Sequence, residues 1–169
     1  MNELGQLLQH LKQPEYVHVL LNPLPVYALS MGVLALAIAL GMRHKQTQIV
    51  ALILVIIGAG SAWPVIYFGH RGYDRVYSMS NNHDAQRWLD IHEDRAEDCA
   101  WLFYATAVVA LVTIIAHWKF GRAAMLLAAL TLVLAACSVA AAGWISQAGG
   151  QVRHSEFRDA PPAASEHEH

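Results

Sequence analysis

Four stretches of the chain, 24–42, 49–69, 99–118 and 123–146, contain no Asp, Glu, Lys or Arg. Their few polar residues lack the 3.6-residue period of a soluble amphipathic helix. Each stretch is about 20 residues long, and at about 1.5 Å per residue that crosses a hydrocarbon core of about 30 Å. The pattern therefore predicts an all-α integral membrane protein, a four-helix up-down bundle with spans near 24–42, 49–69, 99–118 and 123–146.

The polar segments give the bundle its orientation. Arg43-His44-Lys45-Gln46-Thr47-Gln48 links the first two spans and Lys119-Phe120-Gly121-Arg122 the last two; both links are short, basic and free of acids. The positive-inside rule places them in the cytoplasm. The N-terminus, the outer loop 70–98 and the C-terminal tail then share the opposite, periplasmic side of a bacterial inner membrane. Trp63, Tyr67, Trp101, Tyr104 and Trp144 fall near outer ends of spans, and Trp118 and Phe120 near an inner end, as an aromatic belt requires.

Three units follow. Residues 1–22, with Leu4, Leu7, Leu8 and Leu11 at helical spacing, form an outer interfacial amphipathic segment. Residues 23–146 form the transmembrane domain, and 147–169 a polar, largely flexible tail. Asn81 or Asn82 caps a helix running into span three. Trp88, His92, Arg95, Cys99, Phe103 and Thr106 recur on one face of it, so helix three extends roughly 20 Å beyond the bilayer on the outer side. Ala124, Ala128, Ala136 and Ala140, followed by Gly143, predict a small-residue packing seam on span four. Pro64 bends span two, with Ser61 free to hydrogen-bond locally.

Composition agrees: 56% of residues are apolar and 14% charged, against about a quarter charged in soluble domains. With a formal net charge of -2 and no basic run, no nucleic-acid partner is expected. Phosphate-loop, zinc-protease and nucleophile-elbow motifs are missing from the sequence, and no catalytic residue is assigned. Cys99 and Cys137 lie at different depths and predict two unlinked thiols. No ionisable side chain sits mid-span, which disfavours transport. The first span follows Pro23 and Pro25 without a basic leader and is not a signal peptide.

Ten histidines are the unusual feature. His18, His70, His92 and His154 bring one imidazole from each of the four helices to the outer rim. Imidazole is a common ligand of haem iron and of copper or zinc. Two of these four are therefore candidate ligands for a b-type haem or a transition metal, His70 with His92 being one such pair. Arg71, Arg75 and Arg95 are candidates to meet propionates or an acidic partner. Interfacial histidines without any ligand are the plain alternative. Glu93 and Glu97, among Asp90, Asp94 and Asp98, read as a solvated acidic face. His44 and His117 form a weaker pair on the cytoplasmic side, and His167-Glu168-His169 a loose, incidental metal tract.

The segment NPLPVYALSMG entering span one and AGWISQAGGQVRH leaving span four resemble a family of bacterial four-span membrane proteins, domain-of-unknown-function family 2231. Pro23 matches the family's leading proline, Gly143, Gly149 and Gly150 its exit glycines, and His154 its exit histidine. Asn22 stands where the family has a histidine, Arg153 where an aromatic is usual, and Ser155 where a glycine often follows. The resemblance covers 17–155 and implies redox membrane chemistry. Two functional classes remain: an electron-transfer protein using a haem or metal at its outer face, and a non-catalytic subunit of a larger membrane complex with no cofactor of its own.

Overall fold

A computed structural model describes residues 3–80 and 82–158, and the predicted tail motifs beyond 158 lie outside them. The chain is all-helical: α1 (Glu3–His10), α2 (Pro14–Leu21), α3 (Pro23–Met42), α4 (Lys45–Gly60), α5 (Ala62–Met79), α6 (His83–Lys119) and α7 (Gly121–Arg153), closed by a 3-10 turn at Ser155–Phe157. They make four long columns, Pro14–Met42, Lys45–Met79, His83–Lys119 and Ala123–Arg153, each long and apolar enough to cross a membrane. The protein is a multi-pass membrane protein built as a four-helix bundle.

The two basic links sit at one end, the link end. Arg43 makes the first turn in the left-handed region, at φ 53°, and its N–H bonds back to Leu40. At the other, extended end the helices run well past their apolar stretches. Region 70–98 is accordingly no loop: α5 continues to Met79 and α6 starts at His83, where the Asn82 side chain accepts a hydrogen bond from the Asp84 N–H. The 37 residues of α6 make it about 55 Å long. Its first 16 residues lie beyond the apolar stretch that begins at Cys99.

The second column breaks at Ser61, three residues before Pro64, whose ring and missing N–H disturb the turn behind it. The Ser61 hydroxyl donates to the Gly58 carbonyl at 2.7 Å, as a membrane-buried break requires. The N-terminal segment is likewise two helices rather than one, and α2 packs on α5.

The buried positions repeat with alternating steps of four and three. On α3 they are Pro25, Leu29, Gly32, Leu36 and Ala39; on α7, Ala124, Ala128, Thr131, Ala135, Ser138 and Ala142. That 3.5-residue period makes the seams of a left-handed bundle. Ala136 and Ala140, expected in the seam, are exposed, because a strict four-residue step drifts off it. Small residues bring the columns close: a Cβ on Gly58 would lie 2.5 Å from the Leu29 nitrogen. Between α6 and α7 the hydroxyls of Thr106 and Ser138 meet at 2.9 Å, and those of Thr113 and Thr131 at 3.1 Å. Outward, Trp63, Trp101, Trp118 and Trp144 are each at least half exposed.

Candidate functional site

His92 lies on the seam of α6. From it the positions 96, 99, 103, 106, 110 and 113 follow in steps of four and three, taking in buried Phe103, Thr106, Ala110 and Thr113. His18 stands in the same relation to the first column, where 22, 25, 29, 32, 36 and 39 follow in the identical steps. Both imidazoles therefore point into the bundle at its extended end. Their ring centres are 6.2 Å apart and their planes 83° apart.

The surroundings of the two rings match as well. His18 Nδ1 lies 2.8 Å from the Val65 carbonyl oxygen, and His92 Nδ1 lies 2.9 Å from that of Ile145. A carbonyl only accepts, so each Nδ1 carries the proton and donates. With the proton on Nδ1, a neutral ring keeps its free lone pair on Nε2. Four residues past each acceptor stands a glycine. A Cβ on Gly69 would lie 3.0 Å from His18 Nδ1, and one on Gly149 would lie 3.0 Å from His92 Cε1. The two halves of the bundle thus build the same unit twice, a histidine on one helix, a carbonyl and a glycine on the next.

The helices carrying the rings pack on their own hairpin partners, α2 on α5 and α6 on α7, and not extensively on each other. A small apolar cavity of about 40 Å³ lies between the helices one turn along from the two histidines. Asn22 and Ala96, one turn along from each histidine, line it with Val65, Ile145 and Phe103. Burial holds the His92 imidazole below the ordinary histidine range; nearby His18 and Arg95 push the same way, and the bond to Ile145 opposes them.

His70 and His154 do not join this pair. His70 reaches from α5 to α6, with Nδ1 3.2 Å from Glu93 and Nε2 3.4 Å from Glu97. The pair read as a solvated acidic face is thus clamped by a histidine, and burial raises the Glu93 carboxyl above its usual range. His154 stacks on Phe157 and places Nδ1 2.9 Å from Glu156. The arginines are engaged too. Arg71 donates to the Tyr67 hydroxyl, Arg75 pairs with Glu15 at 2.7 Å, and Arg95 donates to the Trp144 carbonyl and the Gln147 amide oxygen while stacking on the Trp144 ring. At the link end, exposed His44 bonds Thr47 in its own turn, whereas His117 is half-buried at the end of α6. Cys99 and Cys137 are free thiols.

Among the described residues, one group of three or more His, Cys, Asp or Glu brings its ligand atoms within 4.8 Å of one another: His70, Glu93 and Glu97, two of them exposed. Among the described residues no third His, Cys, Asp or Glu joins His18 and His92. The acceptor carbonyls of Val65 and Ile145 are backbone groups, and the glycine four residues on is their one mark in the sequence. Comparison with models of protein families, with curated proteins and with solved structures gave no match to this chain.

Proposed function

We propose that the protein is an electron carrier of the bacterial inner membrane, with a b-type haem held between His18 and His92. A metal bound to two opposed imidazoles, with bonds of about 2.0–2.1 Å and about 1.1 Å from nitrogen to ring centre, sets the ring centres about 6.3 Å apart. The observed 6.2 Å carries the reading. Ring contacts of the edge-to-face kind span the same range. The distinguishing feature is that both Nδ1–H groups are committed to carbonyls, the second-sphere arrangement that leaves Nε2 for a metal.

The ligand count favours a macrocycle over a bare ion. Zinc wants about four protein or water ligands, and this pair has no third His, Cys, Asp or Glu among the described residues. A haem brings its own four in-plane nitrogens and needs two axial ligands, which neutral imidazoles supply. The residues one turn along from the two histidines, Asn22 and Ala96, line a small cavity that is almost wholly apolar, an environment that favours a hydrocarbon edge over a charged group. When bound, the haem iron supplies one-electron chemistry. The chain's part is to hold two imidazoles in one tautomer, exclude water from the inner side and keep charge out of the pocket.

The basic links, Arg43 to Lys45 and Lys119 to Arg122, support a cytoplasmic link end, which puts the site near the periplasmic surface. There it can accept electrons from a membrane donor and pass them to an outer partner. The test is the visible spectrum and iron content of protein purified from its native membrane. About one haem per chain, with a reduced-minus-oxidised difference band, is expected. A colourless, iron-free protein overturns the reading and leaves an accessory subunit. Copper without haem would assign the pair to a two-coordinate cuprous ion instead.

A further inference from the structure

We propose that Gly69 and Gly149 are positioning residues that, with the Val65 and Ile145 carbonyls, lock the two imidazole planes perpendicular to each other and so set the electronic state of the iron; this rests on the haem reading above. In an α-helix the N–H of residue i+4 already bonds the carbonyl of residue i. The Val65 carbonyl is thus paired with the Gly69 N–H, and the Ile145 carbonyl with the Gly149 N–H. A side chain from a neighbouring helix reaches such a carbonyl only by passing over residue i+4. Glycine there leaves the path open: a Cβ would stand 3.0 Å from the ring of His18 on α5 and 3.0 Å from that of His92 on α7. At that distance a methyl group shifts a ring by a few tenths of an ångström, enough to weaken its Nδ1–H bond without unfolding the helix.

Each ring is held at two points, Nε2 at the metal and Nδ1 at a carbonyl, and two points on a planar ring fix its rotation about the metal bond. The two carbonyls belong to different columns, and the planes they impose differ by 83°. Perpendicular imidazoles engage different iron d orbitals and leave those orbitals nearly equal in energy. Parallel ones engage the same orbital and split them. The fold, through two carbonyls and two glycines, selects the perpendicular case at a site whose tuning otherwise comes from ligand identity and burial.

The test has two independent readouts. In metal-free protein carrying ¹⁵N-histidine, His18 and His92 are expected as neutral Nδ1–H tautomers near pH 8. Gly149→Ala is expected to shift the His92 signal and leave that of His18 in place. Nε2–H tautomers would overturn the proposal whether or not haem is ever bound. In haem-loaded wild type, electron paramagnetic resonance is expected to show a strongly anisotropic low-spin ferric signal, moving toward the rhombic form in Gly69→Ala and Gly149→Ala. A rhombic wild-type signal, or one unmoved in both variants, would overturn it too. Failure of the wild type to take up haem would instead count against the function, with the tautomer measurement still standing for the glycines.

Discussion

His70 places one ring nitrogen 3.2 Å from Glu93 and the other 3.4 Å from Glu97, which spends both of its nitrogens on the α5–α6 contact. The three side chains are 43%, 28% and 57% exposed, so water screens the triad and each pair is worth about 1 kcal/mol at most. His70→Ala is therefore expected to cost about 1–2 kcal/mol of stability in detergent and to leave the visible spectrum of the protein unchanged. Loss of the haem band in this variant would return His70 to the ligand set.

Acid weakens the site in a definite direction. The half-buried His92 imidazole is held below the ordinary value of about 6.5, so between the two values the unfolded chain binds the extra proton. Stability from the neutral ring is thus complete above about pH 6.5 and declines as pH falls below it. Protonation also occupies Nε2, the atom a metal needs. Thermal unfolding of the metal-free protein should be level from pH 8 to 7 and fall below about 6.5, and His92→Gln should flatten that fall. An unchanged acid limb in His92→Gln would place the sensitive group elsewhere.

Of the described glycines, Gly58 is the one where an added Cβ would come nearest a neighbour, and it would meet the Leu29 backbone rather than a flexible side chain. Backbone cannot yield as a side chain can, so α3 and α4 must part. Gly58→Ala is expected to destabilise the bundle by about 1–3 kcal/mol, the usual cost of overpacking. Equilibrium unfolding in mixed micelles measures this, and a neutral result would mean the two helices sit farther apart.

Thr113 and Thr131 meet at 3.1 Å while each also bonds the carbonyl one turn back in its own helix. With one proton per hydroxyl, one proton crosses the seam and the other turns back. The pair's coupling in a double-mutant cycle to Val is expected near 0.6 kcal/mol, in line with other membrane-buried pairs. A value above about 2 kcal/mol would require a network beyond these two residues.

Much of this architecture is legible in the chain. Charge-free stretches mark the four columns, Asn82 marks the start of α6, and the run from Trp88 to Thr106 puts His92 on the inner face. His18 is also legible in retrospect, since the steps of four and three that lead from His92 lead equally from His18. The alanine pattern of span four is less direct, because its four-residue step drifts off a 3.5-residue seam within a few turns and points to Ala136 and Ala140 where Ala135 and Ala142 are buried. The pairing of His70 with Glu93 and Glu97 depends on how α5 packs on α6, a contact between helices that no local pattern encodes. The Val65 and Ile145 carbonyls, being backbone, are marked in the sequence only by the glycine four residues on.

The most direct measurement is the visible spectrum of purified His18→Ala and His92→Ala beside His70→Ala and His154→Ala. Loss of the low-spin haem band in the first two, with the last two like wild type, is the predicted result. A band that survives in both His18→Ala and His92→Ala would contradict the assignment of the site to this pair.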